Sequence, residues 1–216
     1  ATTPAVLDAL VLALDRFGTL TLAQVMQPAL ELARDGFPMY PGFRGGIRSI
    51  EKRLREEWPS SAKVFLPNGQ IPEVGDVFVQ KDLARTFQRL LDVEAKNRRR
   101  GRSAALRAAR DYFYKGDIAR EIVRFQRDFK SRDANNFVSA GLFTEEDLAS
   151  YQGRIEDPAH TSYRGIDVYK LPFWSQGPVL LQMLNLLEGY DLKALKHNSA
   201  DYIHLLAEAA KLAYAD

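Results

Sequence analysis

Hydrophobic positions along this chain fall mostly at helical spacing. Val6, Leu7, Leu10, Val11 and Leu14 recur at helical spacing, with Asp8, Asp15 and Arg16 supplying polar positions. That spacing predicts an amphipathic helix stopped by Gly18. A second helix is predicted after Thr21, carrying Leu22, Val25, Met26, Ala29 and Leu32 and ending at Gly36. Pro28 lies inside it, which argues for a kink or a split after Met26. A charged helix is expected from about Gly46 to Glu57, closing before Trp58-Pro59. Residues 59–76 contain Pro59, Pro67, Asn68-Gly69, Pro72 and Gly75 and read as turn and loop, with room for a small hairpin. Helices over Gln80–Glu94 and Asp117–Phe129 follow, then one started by the capping pattern Thr144-Glu145-Glu146-Asp147.

Further along, the pattern changes. Strands are expected around Gly153–Asp157 and Ser162–Leu171, the second from Ile166, Val168, Tyr169 and Leu171, with Pro172 ending it. Ser175 is placed to cap the next helix, Gly177 to let another backbone approach, and Pro178 suits a first helical turn. From Val179 to Leu187 apolar residues lie on every face, which predicts a helix covered all round. A last helix covers Ala200–Tyr214. About eight helices and one strand pair near residues 153–171 make the fold class α+β, predominantly α-helical. No internal repeat of 20–50 residues is evident. A lone hairpin is marginal in water, so these strands are expected to join a larger sheet. Residues 1–216 read as a single domain fragment. The chain opens without Met and stops inside a helical pattern, and is read as an excerpt of a longer protein.

Composition narrows the chemistry only a little. Hydrophobic residues make up 46% and charged residues 27%, ordinary for a globular protein, and the net charge of +2 is weak evidence for an acidic partner. With no Cys, this chain has no disulfide, thiolate zinc site or cysteine nucleophile, and the compartment stays open. No apolar run approaches the roughly 18 residues of a membrane span, and no signal-peptide pattern is present.

Candidate chemistry is sparse. The histidines are His160, His197 and His204; His204 and Glu208 sit one turn apart, the spacing of a metal pair, but no third ligand is near and HExxH is absent. Ser175 in Trp174-Ser175-Gln176-Gly177 imitates a serine elbow without its leading glycine. Thr2 and Thr3 invite comparison with an N-terminal threonine nucleophile, yet neither is residue 1 and a helical pattern follows. Arg98, Arg99, Arg100, Arg102, Arg107 and Arg110 form a basic cluster beginning around Gly101. Phe113 and Tyr114 fit a helix face rather than stacking positions, and Asp92, Glu94 and Asp111 dilute the charge. The cluster therefore reads as a solvated insertion rather than a nucleic-acid site, and no nucleic acid is expected as a partner. Glu145/Glu146 and Glu56/Glu57 read as helix-end or surface charges. No phosphate-binding glycine motif occurs. From the residues alone no catalytic, cofactor or metal site emerges.

The order of several words goes further. LARDGFPMYPG, GDVFVQKDLARTFQRL, FYKGDIAREIV, AGLFTEEDLASYQGRIEDP, SYRGIDVY and QGPVLLQMLNLLEGYDL stand in the same order as in the large subunit of the gamma-glutamyltransferase (gamma-glutamyltranspeptidase) family. The resemblance covers essentially residues 1–216, with residues 92–111 looking like a basic insertion. It implies part of an N-terminal-nucleophile hydrolase-like α/β/β/α sandwich, cut by the precursor itself into large and small subunits. It further implies that the small subunit's new N-terminal threonine attacks a gamma-glutamyl amide, typically glutathione. The acyl group would then pass to an amino acid, a peptide or water. The family's nucleophile motif, a threonine followed by T-H-[YF]-S-V, does not occur here. Neither does the arginine motif that grips the donor carboxylate. No site residue carries over, no cofactor is implied, and the partners implied are the small-subunit portion and a small gamma-glutamyl donor. Members are commonly periplasmic or extracellular, an expectation by resemblance only.

One departure stands out. Where typical members read P-P-S-S-G-G before the apolar helix, this chain has Pro172-Phe173-Trp174-Ser175-Gln176-Gly177-Pro178. That marks a divergent branch and leaves the donor open between glutathione, another gamma-glutamyl compound and a different amide. Two alternatives are a same-fold acylase on another substrate and a non-catalytic helical module that binds an anionic partner through Arg98–Arg102.

Overall fold

A computed structural model describes residues 2–133 and 135–216. The pattern reads as one domain; the backbone contacts divide the chain into two units, the first running to Gly153 and the second comprising Arg154–Asp216. Among the described residues there are eleven α-helices and three two-stranded antiparallel pairs. The fold class is α+β with helix dominant, as expected. No described helix is long and apolar enough to cross a membrane.

The first unit holds α1 (Val6–Phe17), α2 (Leu22–Asp35), α3 (Pro41–Ser49), α4 (Glu51–Glu56) and α5 (Pro59–Phe65). It continues with α6 (Lys81–Asn97), α7 (Arg102–Lys115), α8 (Asp117–Asp128) and α9 (Glu145–Ser150). Strand β1 (Phe37–Pro38) pairs with β2 (Val77–Phe78), and β3 (Ser131–Arg132) with β4 (Val138–Ser139). The apolar stripes of α1, α2, α6 and α7 meet over Val11, Leu22, Leu30, Leu90, Leu91 and Leu106. A second core of Met39, Ile47, Leu54, Leu66 and Phe78 is closed by aromatic rings. Phe43 meets Phe78 edge-on at 5.3 Å, while Phe65 stacks on Phe78 at 6.1 Å.

Three expectations fail here for local reasons. Helix α2 runs unbroken through Pro28. Pro28 and Gln24, whose carbonyl loses its partner, are both exposed, so water replaces the missing bond. The single helix expected over Gly46–Glu57 is two, parted at Ile50, where the Ser49 hydroxyl donates back to the Gly46 carbonyl at 2.7 Å. Residues 59–65 are helical rather than loop, because Pro59 occupies a first helical position and the turn signals begin only at Pro67.

The segment read as a solvated basic insertion, residues 92–111, is solvated only in part. Its middle, Arg98–Arg100, is an exposed 3-10 turn, whereas Glu94, Ala105, Leu106, Ala109 and Arg110 are buried. Glu94 is 2% exposed and accepts the amides of Leu22 (2.7 Å) and Ala23 (3.0 Å), so its carboxylate closes the positive end of α2. Thr21 and Gln24 complete that end with a capping box. Arg102 does the reverse for α1. Its guanidinium donates to the carbonyls of Leu14, Gly18 (2.8 Å) and Leu20 (3.0 Å), which satisfies the negative end.

Arg110 is the deepest cation. It pairs with buried Asp8 on α1, with Asp111, and with the Tyr151 carbonyl. Asp8 also accepts the Gly153 amide, so one carboxylate joins α1, α7 and the segment after α9. Burial works against the Arg110 charge, but the hydrogen bonds to Asp8 and Asp111 outweigh it and hold its pKa above the ordinary value. Beside it Tyr114 is fully buried, donates to the Pro4 carbonyl and accepts the Asp8 amide at 3.2 Å.

The second unit contains β5 (Ala159–Tyr163), β6 (Ile166–Lys170), α10 (Gly177–Glu188) and α11 (Ala200–Ala215). The strand pair lies in the expected region, but its first member is Ala159–Tyr163 rather than Gly153–Asp157. Arg164 and Gly165, expected within a strand, form the hairpin turn instead, with φ of 51° and 79°. Helix α10 buries Gly177, Leu181 and Leu187 against the hairpin and α11. It is not covered all round: Leu180 and Leu186 are exposed, because these elements reach only one side of it.

Replacing Glu94 with Ala orphans two amides at a buried helix end. It is expected to lower unfolding free energy by about 3 kcal/mol, given ~1.5–3 for a hydrogen bond to a charged group; urea titration followed by circular dichroism measures this. Burial pushes the Tyr114 phenol above its ordinary value. The stability it contributes is therefore complete below the unfolded value of about 10 and lost as pH rises through the folded one. Tyr114→Phe is expected to cost about 1–3 kcal/mol at neutral pH and to remove the tyrosine-dependent part of alkaline unfolding in a pH-jump series.

Candidate functional site

At the joint between β6 and α10 in the second unit, polar side chains gather around a concavity. Its geometry begins at Pro172, which ends the strand. The Ser175 amide and hydroxyl both donate to the Pro172 carbonyl at 3.0 Å, which folds the chain into a turn. The Ser175 oxygen then accepts the Gly177 amide at 3.0 Å. Ser175 thus satisfies the start of α10 from one residue outside it; Gln176 holds the cap position proper. Gly177 is required by closeness: a Cβ there would lie 1.9 Å from the Leu171 carbonyl oxygen.

A hollow of about 470 Å³ opens beside this turn between β5, α10 and α11. His160, Thr161, Ser175, Gln182 and Asn185 supply most of its polar lining, and Phe173 part of the apolar wall. The Thr161 hydroxyl donates to the Asn185 amide oxygen at 2.6 Å, and the Gln182 amide to Asp216 at 2.6 Å. The aromatic pair in the turn faces outward, Phe173 being 90% and Trp174 68% exposed. Trp174 is fixed by its indole N–H, which donates to Glu156 at 2.6 Å.

Such a lining can hold a small polar molecule, but it does not assemble a nucleophile. Ser175 is committed to backbone on both sides. His160 lies 3.3 Å from Asp167 and packs against Tyr169, with ring centres 4.6 Å apart. No hydrogen bond joins Ser175 to a histidine among the described residues.

The other sequence candidates are scattered. His197 packs near Tyr202, with ring centres 6.0 Å apart. His204 and Glu208 share α11, where Glu208 accepts from Lys211 at 2.7 Å; that bond holds its carboxyl below the usual range. The described residues contain no group of three or more side chains able to hold a metal ion. Thr2 and Thr3 precede α1 in irregular backbone. Glu145 lies in the first turn of α9, and Glu56 and Glu57 pair with Lys52 and Arg53.

The arginine run separates by role. Arg102 and Arg110 are consumed by the fold, and Arg107 lies 3.6 Å from Asp15. Only Arg98, Arg99 and Arg100 project from the exposed turn, Arg100 within 3.2 Å of Asn97. Consecutive residues of a 3-10 turn point about 120° apart, so the three do not converge on one anion. Sequence reasoning missed Asp8, Glu94 and Tyr114. The only available signal was a polar residue at an otherwise apolar helical position.

Comparison with known proteins supplies what the geometry does not. The family model for gamma-glutamyltranspeptidase matches residues 1–216. The glutathione hydrolase proenzyme of Escherichia coli is 34% identical over 215 residues, 99% of this chain and 33% of that protein. The acylase ACY 1 proenzyme of a Pseudomonas species, strain SE83, is 35% identical over 205 residues, 94% of this chain and 32% of that protein. The crystal structure of Helicobacter pylori gamma-glutamyltranspeptidase superposes with a TM-score of 0.83 at 29% identity, covering all of this chain and 55% of that one. This chain spans about a third of the length of the curated relatives it matches. Matched by the family model from end to end, and sharing its fold with that structure, the chain belongs to the gamma-glutamyltranspeptidase family.

Proposed function

We propose that this chain is the structural, non-catalytic part of a precursor whose complete form cleaves or transfers a gamma-glutamyl amide. In this reading the attacking group is the N-terminal threonine of a small subunit lying outside these residues. The acyl-enzyme is resolved by water, an amino acid or a peptide. The family match over residues 1–216 carries the proposal. It is supported by the names of the relatives, which are proenzymes.

A second reading, acylase activity on a different amide, is favoured by one observation. The turn before α10 carries the exposed aromatics Phe173 and Trp174, where the resemblance to the family implies a run of small residues.

The full-length protein is expected to release the free aniline from a gamma-glutamyl anilide, and a polypeptide ending at Asp216 is expected to release none. Turnover by the shorter chain would overturn the assignment of the nucleophile. The two readings separate on kcat/KM for glutathione against a panel of acyl amides. A ratio above about tenfold, or 1.4 kcal/mol, in favour of glutathione selects the first, and the reverse ratio the second.

A further inference from the structure

In the first unit four helix ends come together: the finish of α1, the start of α2, the finish of α6 and the start of α7. Arg102 binds the start of α7 to the loop after α1, donating to the Gly18 and Leu20 carbonyls at 2.8 and 3.0 Å. Glu94 binds the last turn of α6 to the start of α2 through the Leu22 and Ala23 amides. Arg98 borders Thr21 and Gln24 at the same place. Asp15 is taken up by Arg102 and Arg107, at 3.8 and 3.6 Å, and Asp92 accepts from Gln88 at 2.9 Å. What is left facing solvent is cationic: Arg16, Lys96, Arg98, Arg99 and Arg100 are all exposed. None of the five forms an ion pair among the described residues. Beside them the end of α1 and its loop present two apolar side chains, Phe17, 73% exposed, and Leu20, 47% exposed.

We propose that this end of the unit docks on the surface of an anionic phospholipid bilayer. Phe17 and Leu20 enter the headgroup layer, and the arginines lie among the phosphates. Two observations choose this partner. First, the three turn arginines diverge, so they cannot clamp one fixed anion. Lipid headgroups move independently, and each can meet a separate guanidinium at the end of its long, flexible stem. An acidic protein surface would need carboxylates set to match three diverging side chains. Second, the cations surround apolar side chains. At a bilayer surface, burial of those side chains adds to the attraction between cations and headgroups. A nucleic-acid backbone uses the charges but offers an aliphatic side chain such as Leu20 nothing. The docking is independent of the reaction proposed above, in which no residue of this surface takes part.

Co-sedimentation of the full-length protein with phosphatidylcholine vesicles containing about a third phosphatidylglycerol tests this. Binding to these vesicles is expected, with none to pure phosphatidylcholine and release at high salt. Combining Arg98→Gln, Arg99→Gln and Arg100→Gln is expected to weaken partitioning about a hundredfold, given about fivefold for each cation near such a surface. All three are exposed, so the fold is kept. Residues 1–216 contain no Cys, so a single reporter can be placed once any cysteine elsewhere is replaced by Ser. A nitrobenzoxadiazole probe on Leu20→Cys is expected to shift to the blue on anionic vesicles, and one on the exposed Ser60→Cys to stay unchanged. No sedimentation, equal sedimentation with neutral vesicles, or wild-type binding by the triple variant would overturn the proposal. So would a Leu20 probe that stays in water, which would show that another face docks. Preference for an oligonucleotide or an acidic peptide over the vesicles would also overturn it and identify that polyanion as the partner.

Discussion

A guanidinium taken out of water must be met on every side, and Arg110 is met by two carboxylates and a backbone carbonyl. The rest of the first unit is arranged to make that possible. Asp8 can reach Arg110 only if α1 lies along α7, and Asp8 holds the Gly153 amide only if the chain returns after α9. Tyr114 seals the cluster from the other side, its ring stacked against Tyr151 at 5.7 Å. Such a cluster is weak evidence for high stability, since an apolar replacement of equal volume is often as good. Its value lies in register: slide α1 by one turn and the carboxylate faces leucine.

The same logic recurs at two helix ends. Glu94 closes the start of α2 and Arg102 the finish of α1, so each end is completed by a side chain from α6 or α7. Helix dipoles and unpaired backbone groups favour these signs at these ends. Charged residues that look like surface decoration in the chain are fitted into the framework.

That explains which parts of the fold were legible. Amphipathic helices with leucine stripes, such as α1, α2 and α6, and the capping box of α9 declare themselves by spacing. Helix α7 does not, because its inward positions are Ala105, Leu106, Ala109 and Arg110, a set whose small size and one charge hide the stripe. Alanine is buried here to let helices approach, and a hydropathy reading gives it little weight. The strand pair falls in the expected region but with other strand bounds, since Arg164 with positive φ has no signature outside its Gly165 neighbour. The candidate site was legible only as a joint. Ser175, Gly177 and the aromatic turn are local features that a sequence can announce, whereas a nucleophile on another segment, as proposed above, would leave no trace in this one.

The partnership of Asp8 with Arg110 and Gly153 also has a temporal side. These groups are separated by 102 and 145 residues of chain, and the Gly18 carbonyl beyond α1 awaits Arg102, 84 residues on. Contacts so distant in sequence are slow to close. During synthesis α1 leaves the ribosome well before the segments that complete it. A helix made early is thus finished late, its Val11 face without a partner until α7 arrives.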